Sequence, residues 1–250
     1  MQSNIRGTTL QVVECVLGPN ESVVGESGRM TWMSGDVTMT TSTAFTGGSK
    51  GVWGAVKRAA GGATIFASNF QAGAAGGVVA FASNVPGQIM PVSITPGNEY
   101  LVHTHGFLAG TPGIELSTGF QQTLGVGIFG GEGFTLQRLS GTSEAWIQLQ
   151  GEVITYDLQP GQVLFVHPGH VGMFTGGIQM KITTIPGIKN KFFGGEFFLC
   201  QITGPGKIWL QSLTLSGLAA DLIPYLPEQE AAAGGAGGIL GSAITGILKS

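Results

Sequence analysis

Histidines in two similar stretches are the residues of this chain best suited to chemistry. His103 and His105 lie in residues 96–116, and His167 lies in residues 160–180. Residues two apart in a β-strand point to the same face, so His103 and His105 would lie side by side. Neutral imidazoles placed in this way can bind a transition metal. The pattern therefore indicates one candidate function, a metal or small-ligand site at His103, His105 and His167.

The spacing Gly97-x5-His103-x-His105 also matches the start of the first cupin motif. A cupin-like metal site has a carboxylate four or five positions after the second histidine, where this chain has Ala109 and Gly110. The carboxylate ligand is therefore missing from its expected place. A cupin-like binder of a metal or a small molecule remains an alternative function.

The two histidine stretches are copies of one repeated unit. Residues 160–180 repeat residues 96–116 without a gap, and residues 18–39 form a looser copy. His103 falls on His167 in this alignment, and equivalent positions in repeats favour a shared packing or turn role. The turns repeat as well, at Pro96, Gly97, Pro160 and Gly161.

A second element also occurs three times and completes the unit. Each copy starts with Gly-Gly and reads as a strand, a turn and a further strand of alternating pattern. The Trp-Ile-Gln of residues 146–148 matches the Trp-Leu-Gln of residues 209–211. The first strands lie in 61–70, 130–139 and 194–203, and the second strands in 78–85, 145–153 and 207–215. The three pseudo-repeats therefore cover about 18–85, 96–153 and 160–215.

Two acidic residues at equivalent places, Glu132 and Glu196, follow the Gly-Gly pairs of the second and third copies. Paired carboxylates could serve acid–base chemistry if they faced each other in a cleft. Because they are repeat-equivalent, we expect them instead to hydrogen-bond with turn backbone or with a neighbouring subunit. Nothing in the chain matches a nucleophile-elbow serine, a phosphate-binding loop or a dinucleotide fingerprint. A non-enzymatic protein without catalytic residues is predicted.

The composition predicts the fold class. Charged residues make up 10% of the chain, and 44 of its 250 residues are glycine. Little charge with abundant Gly, Thr, Val, Ile and Phe suits short strands and tight turns. Three strand-rich copies that must cover one another's apolar faces predict one all-β domain over residues 1–220. Its architecture is expected to be a double-stranded β-helix or a barrel-like sandwich.

Charge and cysteine content restrict the partners and the compartment. The net charge of −3 supplies no overall basic field for nucleic acid. Phe192 and Phe193, beside lysines, could stack on RNA bases, which leaves an RNA-binding module as a second alternative. Cys15 and Cys200 form no metal-ligand spacing and are interpreted as buried thiols in a reducing compartment. No signal peptide is recognised, so a cytoplasmic location is expected.

Two basic connectors and the C-terminal tail could contact a membrane surface or a protein partner. Residues 49–62 read as a short amphipathic helix that ends at Gly-Gly. Residues 221–250 form a Pro-rich and then Gly/Ala-rich tail, which could dock on a partner, cross a bilayer or stay flexible. The candidate contact residues are Lys50, Trp53, Lys57, Arg58, Lys189 and Lys191. Peripheral membrane attachment is the corresponding expectation for location.

The Gly-Gly strands, the connector SKGVWGAVKRAAGG and the repeated Pro-Gly turns together resemble the altered inheritance of mitochondria protein 24 family over residues 5–220. The resemblance implies a shortened double-stranded β-helix, similar to the fold of the tryptophan RNA-binding attenuation protein, assembled as a homotrimer. It implies no catalytic residues and no cofactor. Mitochondrial members are linked to inner-membrane organisation and respiratory-chain integrity. No Arg- and Ser-rich presequence is recognised here, so a prokaryotic member is expected. A non-catalytic oligomeric β-scaffold is therefore the leading hypothesis.

Overall fold

The computed structural model describes residues 1–42, 67–122, 134–184 and 198–225. Within these ranges the regular secondary structure is almost entirely antiparallel β-strand, which confirms the all-β prediction. The alternation is plain in Val12–Leu17, where Val13, Cys15 and Leu17 are buried and the residues between them are less so. Only a strand places every second residue on one face, and this periodicity is what the sequence encodes.

The described residues form nineteen strands, three 3-10 turns and one short α-helix. The strands are β1 (Gln2–Arg6), β2 (Val12–Leu17), β3 (Ser22–Glu26), β4 (Met30–Met33), β5 (Val37–Ser42), β6 (Ala67–Ala72), β7 (Gly77–Ala82), β8 (Gly87–Ile94), β9 (Tyr100–His103), β10 (Phe107–Gly110), β11 (Ile114–Gln122), β12 (Phe134–Gly141), β13 (Ser143–Gln150), β14 (Val153–Leu158), β15 (Val163–Val166), β16 (Val171–Thr175), β17 (Gln179–Thr184), β18 (Phe198–Thr203) and β19 (Gly206–Gln211). The turns span Ser27–Arg29, Pro168–His170 and Ile223–Tyr225, and α1 spans Leu215–Leu222.

After β1, the strands fall into three repeats of six. We name them repeat 1 (β2–β7), repeat 2 (β8–β13) and repeat 3 (β14–β19), and we letter the strands of each repeat A to F in chain order. In every repeat, strand F pairs with A and C, and strand E pairs with B and D. The sequence repeat is therefore a repeat of strand pairing, and the structural unit begins one strand upstream of the aligned stretch.

Strand B of one repeat joins strand C of the next. β3 pairs with β10, and β9 pairs with β16. This joining produces two six-stranded sheets, ordered β5-β6-β3-β10-β13-β8 and β11-β12-β9-β16-β19-β14. The two outer half-sheets, β1-β2-β7-β4 and β15-β18-β17, end on a C strand and a B strand. Among the described residues, β4 and β15 have no further strand partner, and we call them the open edges.

Strand register fixes which residues are equivalent in the three repeats. Strand C shifts register at the same place each time, between Met30 and Trp32, between Phe107 and Ala109, and between Val171 and Met173. On strand F, Ala80 pairs with Trp32, Trp146 with Ala109, and Trp209 with Met173. The sequence match of Trp146 with Trp209 is therefore confirmed, and Ala80 is their counterpart in repeat 1.

The turn from strand A to strand B requires a positive φ. Gly97 and Gly161 have φ of 88° and 79°, and Asn20 has φ of 59° at the same place in repeat 1. Glycine adopts this region without steric cost, and asparagine is among the few other residues that tolerate it. This requirement explains why the Pro-Gly turns recur in the sequence.

Each repeat encloses an apolar core. Core 1 includes Val13, Val23, Phe70 and Phe81, core 2 includes Ile94, Val102, Ile147 and Leu149, and core 3 includes Val166, Phe174, Ile202 and Ile208. Cores 1 and 2 also receive side chains from the following repeat, such as Ala109 in core 1 and Met173 in core 2. Neighbouring repeats are therefore joined by packing as well as by strand pairing.

Cys15 and Cys200 are free thiols buried in core 1 and core 3, as predicted. Burial raises the pKa of both thiols to about 12. They stay protonated at neutral pH, and a protonated thiol is a poor nucleophile and metal ligand. Their role is packing.

Candidate functional site

The turns between strands B and C, which we call the B–C corners, contain all four histidines of the chain. Corner 1 spans 26–29, corner 2 spans 103–106 and corner 3 spans 167–170. Since strand B of one repeat pairs with strand C of the next, the corners follow one another along one rim of the joined sheets. Corner 1 carries an ion pair instead of histidines, with Arg29 Nε 3.4 Å from Glu26 Oε2.

In corner 2, strand β9 ends at His103, and Thr104 and His105 form the turn. The premise that His103 and His105 share one strand face is therefore wrong, because the chain leaves the strand conformation between them. The His103 ring is buried, and its Nε2 lies 3.1 Å from the Gln148 carbonyl oxygen. A carbonyl can only accept, so Nε2 carries the proton. Burial lowers the pKa of His103 to about 4.

The lowered pKa of His103 predicts a loss of stability in mild acid. Between the ordinary His pKa of 6.5 and about 4, the unfolded chain binds a proton that the folded chain does not. Stability therefore falls as the pH drops through this window, by about 2 kcal/mol from pH 7 to pH 5. Urea unfolding of His103→Gln should have a shallower pH dependence than unfolding of the parent chain. Thr104→Ala, which removes the 2.7 Å hydrogen bond from Thr104 Oγ1 to the Thr135 carbonyl, is the control. Thr104→Ala should lose the same amount of stability, relative to the parent chain, at pH 7 and at pH 5.

Corner 3 uses its histidines in a related way. His170 Nδ1 donates to the Gln211 carbonyl oxygen at 2.7 Å, and the His167 and His170 rings are 5.7 Å apart. Gln211 occupies in repeat 3 the position of Gln148 in repeat 2. In both repeats, therefore, a histidine N–H fastens the B–C corner to the same carbonyl of strand F. The bonded histidines, His103 and His170, are not equivalent in the repeat alignment, so the shared role that the alignment favours for His103 and His167 stays a prediction.

The metal or small-ligand site at His103, His105 and His167 stays a prediction. In the parts of the chain that the structure describes, no three His, Cys, Asp or Glu side chains are placed to hold one ion. His103 already uses one ring nitrogen in a hydrogen bond to backbone. The geometry supplies no observation that favours a metal.

The remaining candidates from the sequence lie outside the described residues. They are Lys50, Trp53, Lys57, Arg58, Glu132, Lys189, Lys191, Phe192, Phe193, Glu196 and the tail beyond Tyr225. Their proposed contacts with a membrane, a partner or RNA stay predictions. Within the described ranges, no helix combines the length and the apolar character needed to cross a bilayer.

The open edges are the feature that the sequence analysis missed. On β4, Trp32 and Met33 are 47% and 40% exposed, and on β15 Phe165 is 56% exposed. We call the pairings of strand B of one repeat with strand C of the next the internal joints, and the equivalent residues there are buried. They are Ala109 and Met173 for Trp32, Gly110 and Phe174 for Met33, and Val24 and Leu101 for Phe165. A signal was available, because repeats joined end to end leave one unused joining strand at each end.

Neither open edge carries a charged residue: β4 reads MTWM and β15 reads VLFV. Strand edges that must remain unpaired are usually protected by lysine, proline or a covering element. Here the unpaired backbone groups lie beside large apolar side chains instead. What these edges can do chemically is pair with another strand.

The fold resembles the X-ray crystal structure of protein SPYM3_0169 from Streptococcus pyogenes, with a TM-score of 0.69. The alignment covers 90% of this chain and 99% of that chain at 21% identity, a level that concerns the fold alone. Among curated proteins, none matches the sequence. A family profile described as mitochondrial biogenesis AIM24 matches residues 3–213, in agreement with the resemblance noted from the motifs. The chain therefore belongs to the mitochondrial biogenesis AIM24 family.

Proposed function

We propose that this protein is a non-catalytic β-scaffold whose copies assemble edge to edge, with β15 of one copy pairing with β4 of the next. The observation that carries the proposal is the pair of open edges. They are a B strand and a C strand, the same two strand types that join the repeats within the chain. The missing joint between repeat 3 and a following repeat is thus available to a second copy.

The internal joints supply the register of the proposed contact. At one joint Val102 pairs with Met173, and at the other Gly25 pairs with Ala109. Transferring these pairs to the open edges places Val166 opposite Trp32, Phe165 opposite Met33, and Leu164 opposite Ser34. The pairing would remove exposed apolar surface and unpaired backbone groups from water at both edges.

A head-to-tail contact of this kind builds a closed ring if the rotation at each joint closes, and a filament if it does not. We infer a homotrimeric ring with the shortened double-stranded β-helix architecture, as the motif resemblance implies. The scaffold would act in the cytoplasm, with the basic connectors and the tail as its contacts to a membrane surface or a protein partner.

The test is the mass of the purified full chain by light scattering, together with liposome co-sedimentation. We expect a mass three times the chain mass of 25.7 kDa. A monomer at micromolar concentration would overturn the assembly. Pelleting with anionic liposomes in the full chain, and its loss after truncation beyond Pro227, would support the membrane contact. A trimer that ignores liposomes in both forms would make it a soluble protein-binding scaffold.

A further inference from the structure

Two of the three cores receive a tryptophan from the following repeat. Trp146, on strand F of repeat 2, is 1% exposed and belongs to core 1. Trp209, on strand F of repeat 3, packs against core 2. Each of these tryptophans pairs across the sheet with a smaller or more flexible residue of strand C, Ala109 or Met173.

Repeat 1 has the same pair with the sizes exchanged. Its strand F carries Ala80, and its strand C carries Trp32, and the two are cross-strand partners. Paired residues of neighbouring strands point to the same face of a sheet, so a tryptophan on either strand fills similar space. Each repeat therefore presents one tryptophan on this face, but in repeat 1 it comes from the open edge.

Within the described residues, core 3 receives no such tryptophan, because repeat 3 is the last repeat that they form. Two residues that pack against core 3, Leu164 and Leu210, are only half-buried. Their counterparts in repeat 1, Val23 and Phe81, are fully buried. Leu164 lies on β15 itself, the strand that the proposed assembly pairs with β4 of the next copy.

We propose that Trp32 of one copy enters core 3 of the neighbouring copy and is the main anchor of self-association. This inference rests on the edge-to-edge assembly proposed above, and it names the partner as a second copy of this chain. Tryptophan is the residue type most enriched among side chains that dominate binding, because it buries a large area with little conformational freedom to lose. Its opposite residue across the joint would be Val166, already a member of core 3.

The test is the dissociation constant of the assembly, measured by light scattering over a concentration series. Trp32→Ala should weaken self-association by at least about 30-fold, the scale of an interface hot spot. The double variant Trp32→Ala/Ala80→Trp places alanine on strand C and tryptophan on strand F, as in repeat 2. It should recover most of the affinity that Trp32→Ala loses. Met39→Ala removes another exposed apolar side chain of repeat 1, on β5, and should leave the assembly unchanged.

The outcomes separate this inference from the proposal on which it rests. A parent chain that is monomeric would overturn the edge-to-edge assembly itself. A parent chain that assembles, with Trp32→Ala assembling equally tightly, would overturn only the anchor role of Trp32. If Trp32→Ala does not fold, quenching of tryptophan fluorescence by acrylamide decides the question in the parent chain. Association should then protect a tryptophan that is accessible at high dilution, and unchanged quenching would contradict the inference.

Discussion

Replacing Phe165 of β15 with lysine is expected to convert the proposed assembly into monomers, with self-association weakened by at least about 100-fold. The equivalents of Phe165 at the internal joints, Val24 and Leu101, are buried in the core of the following repeat. A lysine at this place would bring an unpaired charge into core 1 of the next copy, and burial of an unpaired charge is strongly unfavourable. Light scattering of the variant against the parent chain measures the effect.

A complementary exchange tests the register of the joint. Met33→Glu alone should also give monomers, for the same reason. The double variant Phe165→Lys/Met33→Glu sets opposite charges facing each other at every joint, and directly opposed cross-strand charges attract. It should therefore associate more tightly than either single variant. Ile154→Lys, at an exposed position of β14, is the matched control and should remain assembled. Equal assembly of Phe165→Lys and the parent chain would contradict the proposed joint.

The strands were predictable from the sequence because each encodes its own periodicity. The Gly-Gly segments lead into β6, β12 and β18, and the Trp-containing segments form β13 and β19, as expected. The turns also depend on adjacent residues only, since the Pro-Gly pairs predict turns and Gly97 and Gly161 adopt the positive φ that these turns require. Where a feature depends on a few consecutive residues, the repeat in the sequence was sufficient to find it.

Features that depend on distant contacts could not be predicted in this way. His103 is fixed by the Gln148 carbonyl, a residue far along the chain that becomes its neighbour only when strands B and F are in place. The open edges also follow from topology: the sequences of β4 and β15 alone do not show which strand each one pairs with, and only the order of the repeats indicates that one joining strand is left at each end.

Equivalent core positions carry side chains of different size in different repeats, and a change at one position is compensated by a change at a position distant in the sequence. A single stretch of sequence therefore does not reveal this compensation. At the B-strand position that pairs with Ala109 or Met173, repeat 1 has Gly25 and repeat 2 has Val102. The strand F residues that face these positions are Phe81 and Ile147 in the same repeats. A larger ring in repeat 1 is thus accommodated by the absence of a side chain at Gly25.

Gly25→Ala is accordingly expected to lower the free energy of unfolding by about 3 kcal/mol. A Cβ at Gly25 would overlap the Phe81 ring, which is fully buried and packs edge-on against Phe70 at 5.3 Å, so it has no free space to move into. Gly28→Ala, in corner 1 close to Gly25, meets nothing within 4 Å and should cost far less. Urea unfolding measures the loss of stability in both variants.

The double variant Gly25→Val/Phe81→Ile carries at these two positions the residue types of repeat 2, Val102 and Ile147, and should be more stable than Gly25→Val alone. If it is not, the equivalence of the two cores is wrong, and with it the argument that core 3 lacks a side chain that the other two receive.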